Sequence, residues 1–102
     1  MKNGNRQLAA RILQALGHPL RLGAVQELQA GERTFKELQT ALDCGQSMLS
    51  QQLKILEQYG LIQTRKEGTL KYCRLANPEL LKLFTCLDRH IAQLTNSKAK
   101  SN

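Results

Sequence analysis

The sequence predicts a mainly α fold: a winged helix-turn-helix of five helices, with a small β-hairpin between the fourth helix and the last. Three observations carry that prediction. First, residues 45–60, G-Q-S-M-L-S-Q-Q-L-K-I-L-E-Q-Y-G, place Leu49, Leu53 and Leu56 at i, i+4 and i+7, one buried stripe on a helix. Second, a short helix and a tight turn lead into it. Third, after Gly60 the apolar spacing changes and a basic hairpin follows.

The elements follow in order. Leu8, Ile12, Ala15 and Leu16 predict a first helix that stops at Gly17. Pro19 suits the first position of a second helix, which packs Leu20, Ala24, Val25 and Leu28 and ends before Gly31. Thr34-Phe35-Lys36-Glu37 reads as a capping box opening a third helix with Phe35, Leu38 and Leu42 buried. Asp43-Cys44-Gly45 is a three-residue turn into the fourth helix, which Gly60 closes. Two short helices joined this way form a helix-turn-helix. Leu61–Glu67 and Leu70–Leu75 flank a turn at Glu67-Gly68-Thr69 and predict two strands, a wing bearing Arg65, Lys66, Lys71 and Arg74. Asn77 caps a last helix with Pro78 at its first position and Leu80, Phe84, Leu87, Ile91 and Leu94 along one face.

Composition narrows the partners. The 102 residues form a single domain, 1–102, with polar ends at 1–5 and 96–102 that should fray. A core this small is marginal alone, and two terminal helices carry spare apolar surface. The expectation is a homodimer in which Leu8, Ile12 and Leu16 meet Leu80, Phe84, Leu87 and Ile91 of the pair. The net charge is +7 and unevenly placed. Lys2, Arg6, Arg11 and Arg21 stand without an acid in the first 24 residues, residues 25–45 are net acidic, and residues 46–74 are basic again. A basic chain with a local acidic segment suits nucleic acid better than a membrane. No apolar run approaches the ~18 residues of a membrane span, and Met1–Gln7 lacks a signal peptide's apolar core, so the expected place is the cytoplasm. Cys44, Cys73 and Cys86 are then reduced thiols, and no cofactor is expected.

The fourth helix carries the chemistry. Opposite its leucines lie Gln46, Ser47, Ser50, Gln51 and Lys54, hydrogen-bonding groups with one cation and no acid. Such side chains read base edges and hold phosphates. Gln46, Ser47, Ser50 and Gln51 are expected at or near bases of double-stranded DNA, and Lys54, Arg65, Lys66 and Lys71 at phosphates. A winged-helix module that binds protein instead is the alternative, but such modules usually lack this polar face. Two histidines, His18 and His90, and no phosphate-cradling glycine loop argue against an enzyme. Two tyrosines and two phenylalanines give no stacking platform for RNA.

The wording of these segments resembles the ArsR/SmtB family of small winged-helix repressors over about residues 8–95. The similarity rests on A-L-G-H-P-L-R-L at 15–22, S-M-L-S-Q-Q-L-K-I-L at 47–56, Y-G-L-I at 59–62, R-K-E-G at 65–68 and Y-C-R-L at 72–75. The resemblance implies a homodimer joined by its first and last helices, bound to an inverted-repeat operator near its own promoter and released by an inducer. Many members hold thiophilic metals with a C-x-C pair at the third helix. Thr34 and Lys36 stand there in this chain, so that site is absent. A second family site, across the paired last helices, maps to Asn77, Glu79, His90 and Gln93. Only His90 keeps its ligand type, but Cys86 lies one turn before it, so Glu79, Cys86 and His90 are weak metal candidates. The plainer reading is an ordinary cysteine and histidine beside a dimer seam. Other relatives sense persulfides or oxidants through cysteines on the second and last helices. The second helix here has none, leaving Cys86, with Cys73 or a partner subunit, as the candidate thiol sensor.

Overall fold

The computed structural model describes residues 1–100, with side chains through Asn96. Its order is α1 (Asn3–Leu16), α2 (Pro19–Glu27), a 3-10 turn (Leu28–Ala30), β1 (Arg33–Thr34), α3 (Phe35–Leu42), α4 (Gln46–Gln58), β2 (Ile62–Glu67), β3 (Leu70–Leu75) and α5 (Leu80–Lys100). The five helices and the wing stand where the sequence puts them. Helix also extends into both polar ends, from Asn3 and as far as Lys100. The expected fraying of 96–102 falls partly outside the described residues.

Local chemistry fixes the boundaries. The His18 ring accepts the Leu20 N–H at 3.1 Å and caps α2, with Pro19 at its first position. The Thr34 hydroxyl accepts the Glu37 N–H while the Glu37 carboxylate accepts the Thr34 N–H, so the capping box is closed on both sides. α3 ends with Asp43 left-handed at φ 48°, and the Cys44 N–H reaches back to the Gln39 carbonyl. Gly60, at φ 73°, does the same for α4: its N–H meets the Glu57 carbonyl and that of Leu61 meets Leu56. The start of α5 differs from expectation. Asn77 does accept a hydrogen bond, from the Glu79 N–H at 2.9 Å, but 77–82 first close through i→i+3 bonds, so the helix begins at Leu80.

The wing is larger than a hairpin. β1 joins as a third strand, giving the antiparallel order β1-β3-β2. Two residues on the sequence side of a capping box carry too little pattern to read as a strand. Here they pair Arg33 with Cys73 and Thr34 with Tyr72. Glu67 pairs with Leu70, so the turn is the two residues Gly68-Thr69, with Gly68 at φ 63°.

The core is one cluster. Leu49, Leu53 and Leu56 of α4 are buried with Ala24, Val25 and Leu28 of the α2 segment, Leu38 of α3, and Ile62 and Cys73 of the sheet. Burying each leucine contributes about 1.5–3 kcal/mol, which is why α4 presents its other face outward without choice. Phe35, Leu42 and Cys44 pack against this cluster only partly buried. α2 and α3 approach closely at Gly23, where a Cβ would lie 2.9 Å from the Leu42 side chain.

The terminal helices divide their apolar residues. Leu16 and Phe84, expected at a dimer seam, are instead in the core, because the C-terminal end of α1 and the first turns of α5 pack onto it. Leu8 (57% exposed) and Leu13 (58%) on α1, and Ile91 (56%), Leu94 (51%) and Leu87 on α5, remain open. No helix among the described residues is long and apolar enough to cross a membrane.

Candidate nucleic-acid interface

The outward face of α4 is built by the burial of its inward one. With Leu49, Leu53 and Leu56 fixed in the core, Gln46, Ser47, Ser50, Gln51 and Lys54 are all exposed. The first acid of the helix, Glu57, comes only in its last turn, where its carboxylate accepts a hydrogen bond from the Thr64 hydroxyl of β2. Gly45 gives α4 no side-chain cap, so its first N–H groups face outward beside Gln46, where an anion is favoured.

Gln52 breaks the pattern of the face. It is 8% exposed, and its carbonyl oxygen accepts from an Arg21 Nη at 3.2 Å. The same guanidinium donates through Nε to the Ala15 carbonyl at 2.6 Å. Arg21 therefore ties the end of α1 and the start of α2 to the middle of α4. In the sequence it counts only as one of several N-terminal cations.

The strand register splits the wing into two faces. Residues directly opposite across a ladder share a face, and neighbours along a strand alternate. Thr64 opposes Cys73 and Lys66 opposes Lys71, so the two lysines continue the core-facing side beyond the core. Arg65 opposes Tyr72 and belongs to the outer side. Its guanidinium stacks 4.2 Å from the Tyr72 ring centre and meets Glu32 at 2.7 Å and Glu67 at 2.6 Å. Hydrogen bonding from Arg65 holds the Glu32 carboxyl below its usual range, and the two carboxylates raise Arg65. Arg65 thus spans the sheet from β2 to the residue before β1. Of the four cations expected at phosphates, the three of the wing are not brought together, since Lys66 and Lys71 share one face and Arg65 is on the other, paired twice.

On the inner side, a groove of about 390 Å³ lies between the starts of α3 and α4 and the wing. Lys36, Lys66 and Lys71 line it with Gln46, Ser50 and Thr69, and none of its lining residues is acidic. Lys71 sits over the Phe35 ring, 5.8 Å from its centre. Lys36 was not read as a DNA contact from sequence. It adjoins the reading helix only because the helix-turn-helix brings the first turn of α3 beside that of α4.

The inducer candidates are dispersed. Cys73 is fully buried, and burial raises its thiol further, so it stays protonated and out of reach of solution oxidants. Cys44 is half-buried and Cys86 exposed. Glu79 lies in the turn before α5 rather than on the helical face of Cys86 and His90, and its carboxylate is taken by Lys82 at 2.7 Å. Lys82 and Arg89 flank Cys86 and His90. Among the described residues no group of three or more His, Cys, Asp or Glu is placed to hold a metal. Thr34, at the first expected thiol position, is the cap of α3.

A helix-turn-helix with an acid-poor reading face, flanked by a basic wing, defines a winged helix-turn-helix DNA-binding transcriptional regulator. Comparison with known proteins gives its family. The family described as "Bacterial regulatory protein, arsR family" matches residues 18–64. The chain belongs to the ArsR family. It is 38% identical over 78 residues to the biofilm growth-associated repressor of Agrobacterium fabrum, a match covering 76% of this chain and 67% of that protein. It is 32% identical over 94 residues to the regulator Rv0324 of Mycobacterium tuberculosis, covering 88% of this chain but only 42% of that longer protein. Its fold is similar to the homodimeric winged helix-turn-helix domain of Mb0332 from Mycobacterium bovis, with a TM-score of 0.81, 26% identity and coverage of 95% and 93% of the two chains.

Proposed function

We propose that this chain represses transcription as a homodimer bound to an inverted-repeat operator, and that an inducer releases it. The observation that carries this reading is the outward face of α4, with Gln46, Ser47, Ser50, Gln51 and Lys54 exposed beside an acid-free groove. The open apolar residues of α1 and α5 supply the dimer seam. Repression is the activity in the name of its Agrobacterium relative.

Two symmetry-related α4 helices then meet major grooves about 10 or 20 base pairs apart. Gln46, Ser47, Ser50 and Gln51 contact bases or their immediate surroundings, while Lys54, Lys66 and Lys71 hold phosphates. Arg65, already paired to Glu32 and Glu67, braces the wing rather than binding DNA. Among the three thiols, Cys86 is the exposed one and the candidate for inducer chemistry.

The test is selection of duplexes from a random pool, followed by affinity measurements on the selected site. Replacing Gln51 with Ala should change which bases are preferred. Replacing Lys66 with Ala should weaken all duplexes evenly and flatten the salt dependence by no more than about one per subunit. A pool that shows no enriched inverted repeat, or two variants that lose affinity in the same uniform way, would overturn this assignment.

A further inference from the structure

We propose that Lys36, Lys66 and Lys71 form one seat for a single DNA backbone phosphodiester, with Lys36 of α3 as its third wall. The inference rests on the DNA-binding reading above and deepens it. The three lysines come from α3, β2 and β3, yet all line one groove beside Gln46 and Ser50 of the reading helix. Among the described residues none of the three is in a salt bridge, whereas the wing's Arg65 and the neighbouring Arg33 are both paired with acids. Three like charges gathered without a counter-charge repel one another, and the arrangement becomes favourable once an anion enters.

The geometry also says where that anion lies. Lys66 and Lys71 oppose each other across the ladder and project on the core-facing side, toward α3 and α4. Phe35, under Lys71, limits how far that side chain can swing away from the groove. Lys36 follows Phe35 and is exposed, free to reach from the opposite wall. The Ser50 hydroxyl and the uncapped start of α4 add donors on the third side. A duplex read by Gln46 and Ser50 places a strand of its backbone between the helix and the wing, so the anion is a phosphodiester flanking the bases those residues meet.

A shared seat makes a different prediction from three separate contacts. Each phosphate neutralised contributes about 0.9 to the slope of log affinity against log salt. Replacing all three lysines with Ala should therefore flatten the slope by about one per subunit, about two for the dimer; three independent phosphates would give nearly three per subunit. Lys36→Ala alone should weaken operator binding roughly tenfold per subunit, the loss of one charge-assisted contact in each half-site. Circular dichroism should stay unchanged, since Lys36 is exposed and Ala favours helix.

The decisive measurement uses operator duplexes carrying a neutral methylphosphonate at one linkage at a time. Wild type should lose affinity at one linkage per half-site in this region, and each of the three single variants should lose part of its sensitivity to that same linkage. If Lys36→Ala keeps the full wild-type pattern, or the variants lose sensitivity at different linkages, the shared seat is wrong. If wild type shows no preference for any sequence, it is the DNA-reading assignment of α4 that fails. Salt slopes on any duplex then still decide the seat, with a loss of nearly three per subunit on replacing all three lysines, rather than about one, overturning it.

Discussion

Replacing Arg21 with Ala should destabilise the protein although the side chain is partly exposed. The guanidinium donates to the Ala15 carbonyl at 2.6 Å and to the Gln52 side chain at 3.2 Å, and it reaches the Gln14 carbonyl at 3.5 Å. Ala15 and Gln52 are both buried, so truncation strands two acceptors that water reaches poorly. A hydrogen bond to a charged group is worth about 1.5–3 kcal/mol. The third contact is long and exposed and adds little. Allowing for water entering the gap, the loss should be about 2–4 kcal/mol, or roughly ten to twenty degrees in Tm for a domain of this size. Urea and thermal unfolding at one fixed protein concentration measure it, since dimerisation would make Tm concentration-dependent. Arg21→Lys keeps the charge but not the fork, and should lose an intermediate amount. Adding Gln52→Leu to Arg21→Ala should recover part of the loss, because the stranded amide is removed with its partner. If Arg21→Ala unfolds within about 0.5 kcal/mol of wild type, the clamp contributes nothing to stability.

Three further outcomes follow from the same structure. Ile91→Glu puts a charge into the open apolar stripe of α5 and should convert the protein to a monomer in sedimentation; an unchanged dimer would place the seam elsewhere. In the native protein a thiol reagent should modify Cys86 rapidly and Cys73 only on unfolding, and Cys86→Ser should abolish any dependence of operator affinity on persulfide or zinc; identical affinities for both proteins under every condition would remove Cys86 from sensing. Glu32 and Glu37 are both held below the ordinary 4.5, Glu32 first by the Arg65 hydrogen bond and Glu37 first by the Thr34 N–H. Their contribution is present above that ordinary value and lost as pH falls through the lowered ones, so wild type should exceed the Glu32→Gln, Glu37→Gln double variant at neutral pH and converge with it in strong acid; a pH-independent gap would refute the linkage.

Much of the fold was legible because local rules and global packing agree along this chain. The leucine stripe of α4, the Thr34–Glu37 box, Pro19 and Gly60 each specify a boundary alone, and the core confirms them together. The illegible parts depend on pairing between distant segments. β1 exists only because β3 offers it an edge, and Arg21 matters only because Gln52 lies buried 31 residues away. Leu16 and Phe84 share the periodicity of the open residues beside them, so sequence alone could not say which end of each helix the core would claim. The site divides the same way. The reading face of α4 follows from one helix and was readable, whereas the role of each wing cation turns on register. Arg65 and Lys66 are neighbours in sequence and equal in charge, yet the alternation of β2, anchored by buried Ile62, sends one to the acids of the outer face and the other to the groove beside the reading helix. A slip of β2 by a single residue would exchange them, which makes the strand register, rather than the number of basic residues, the feature that decides where this wing can meet a phosphate.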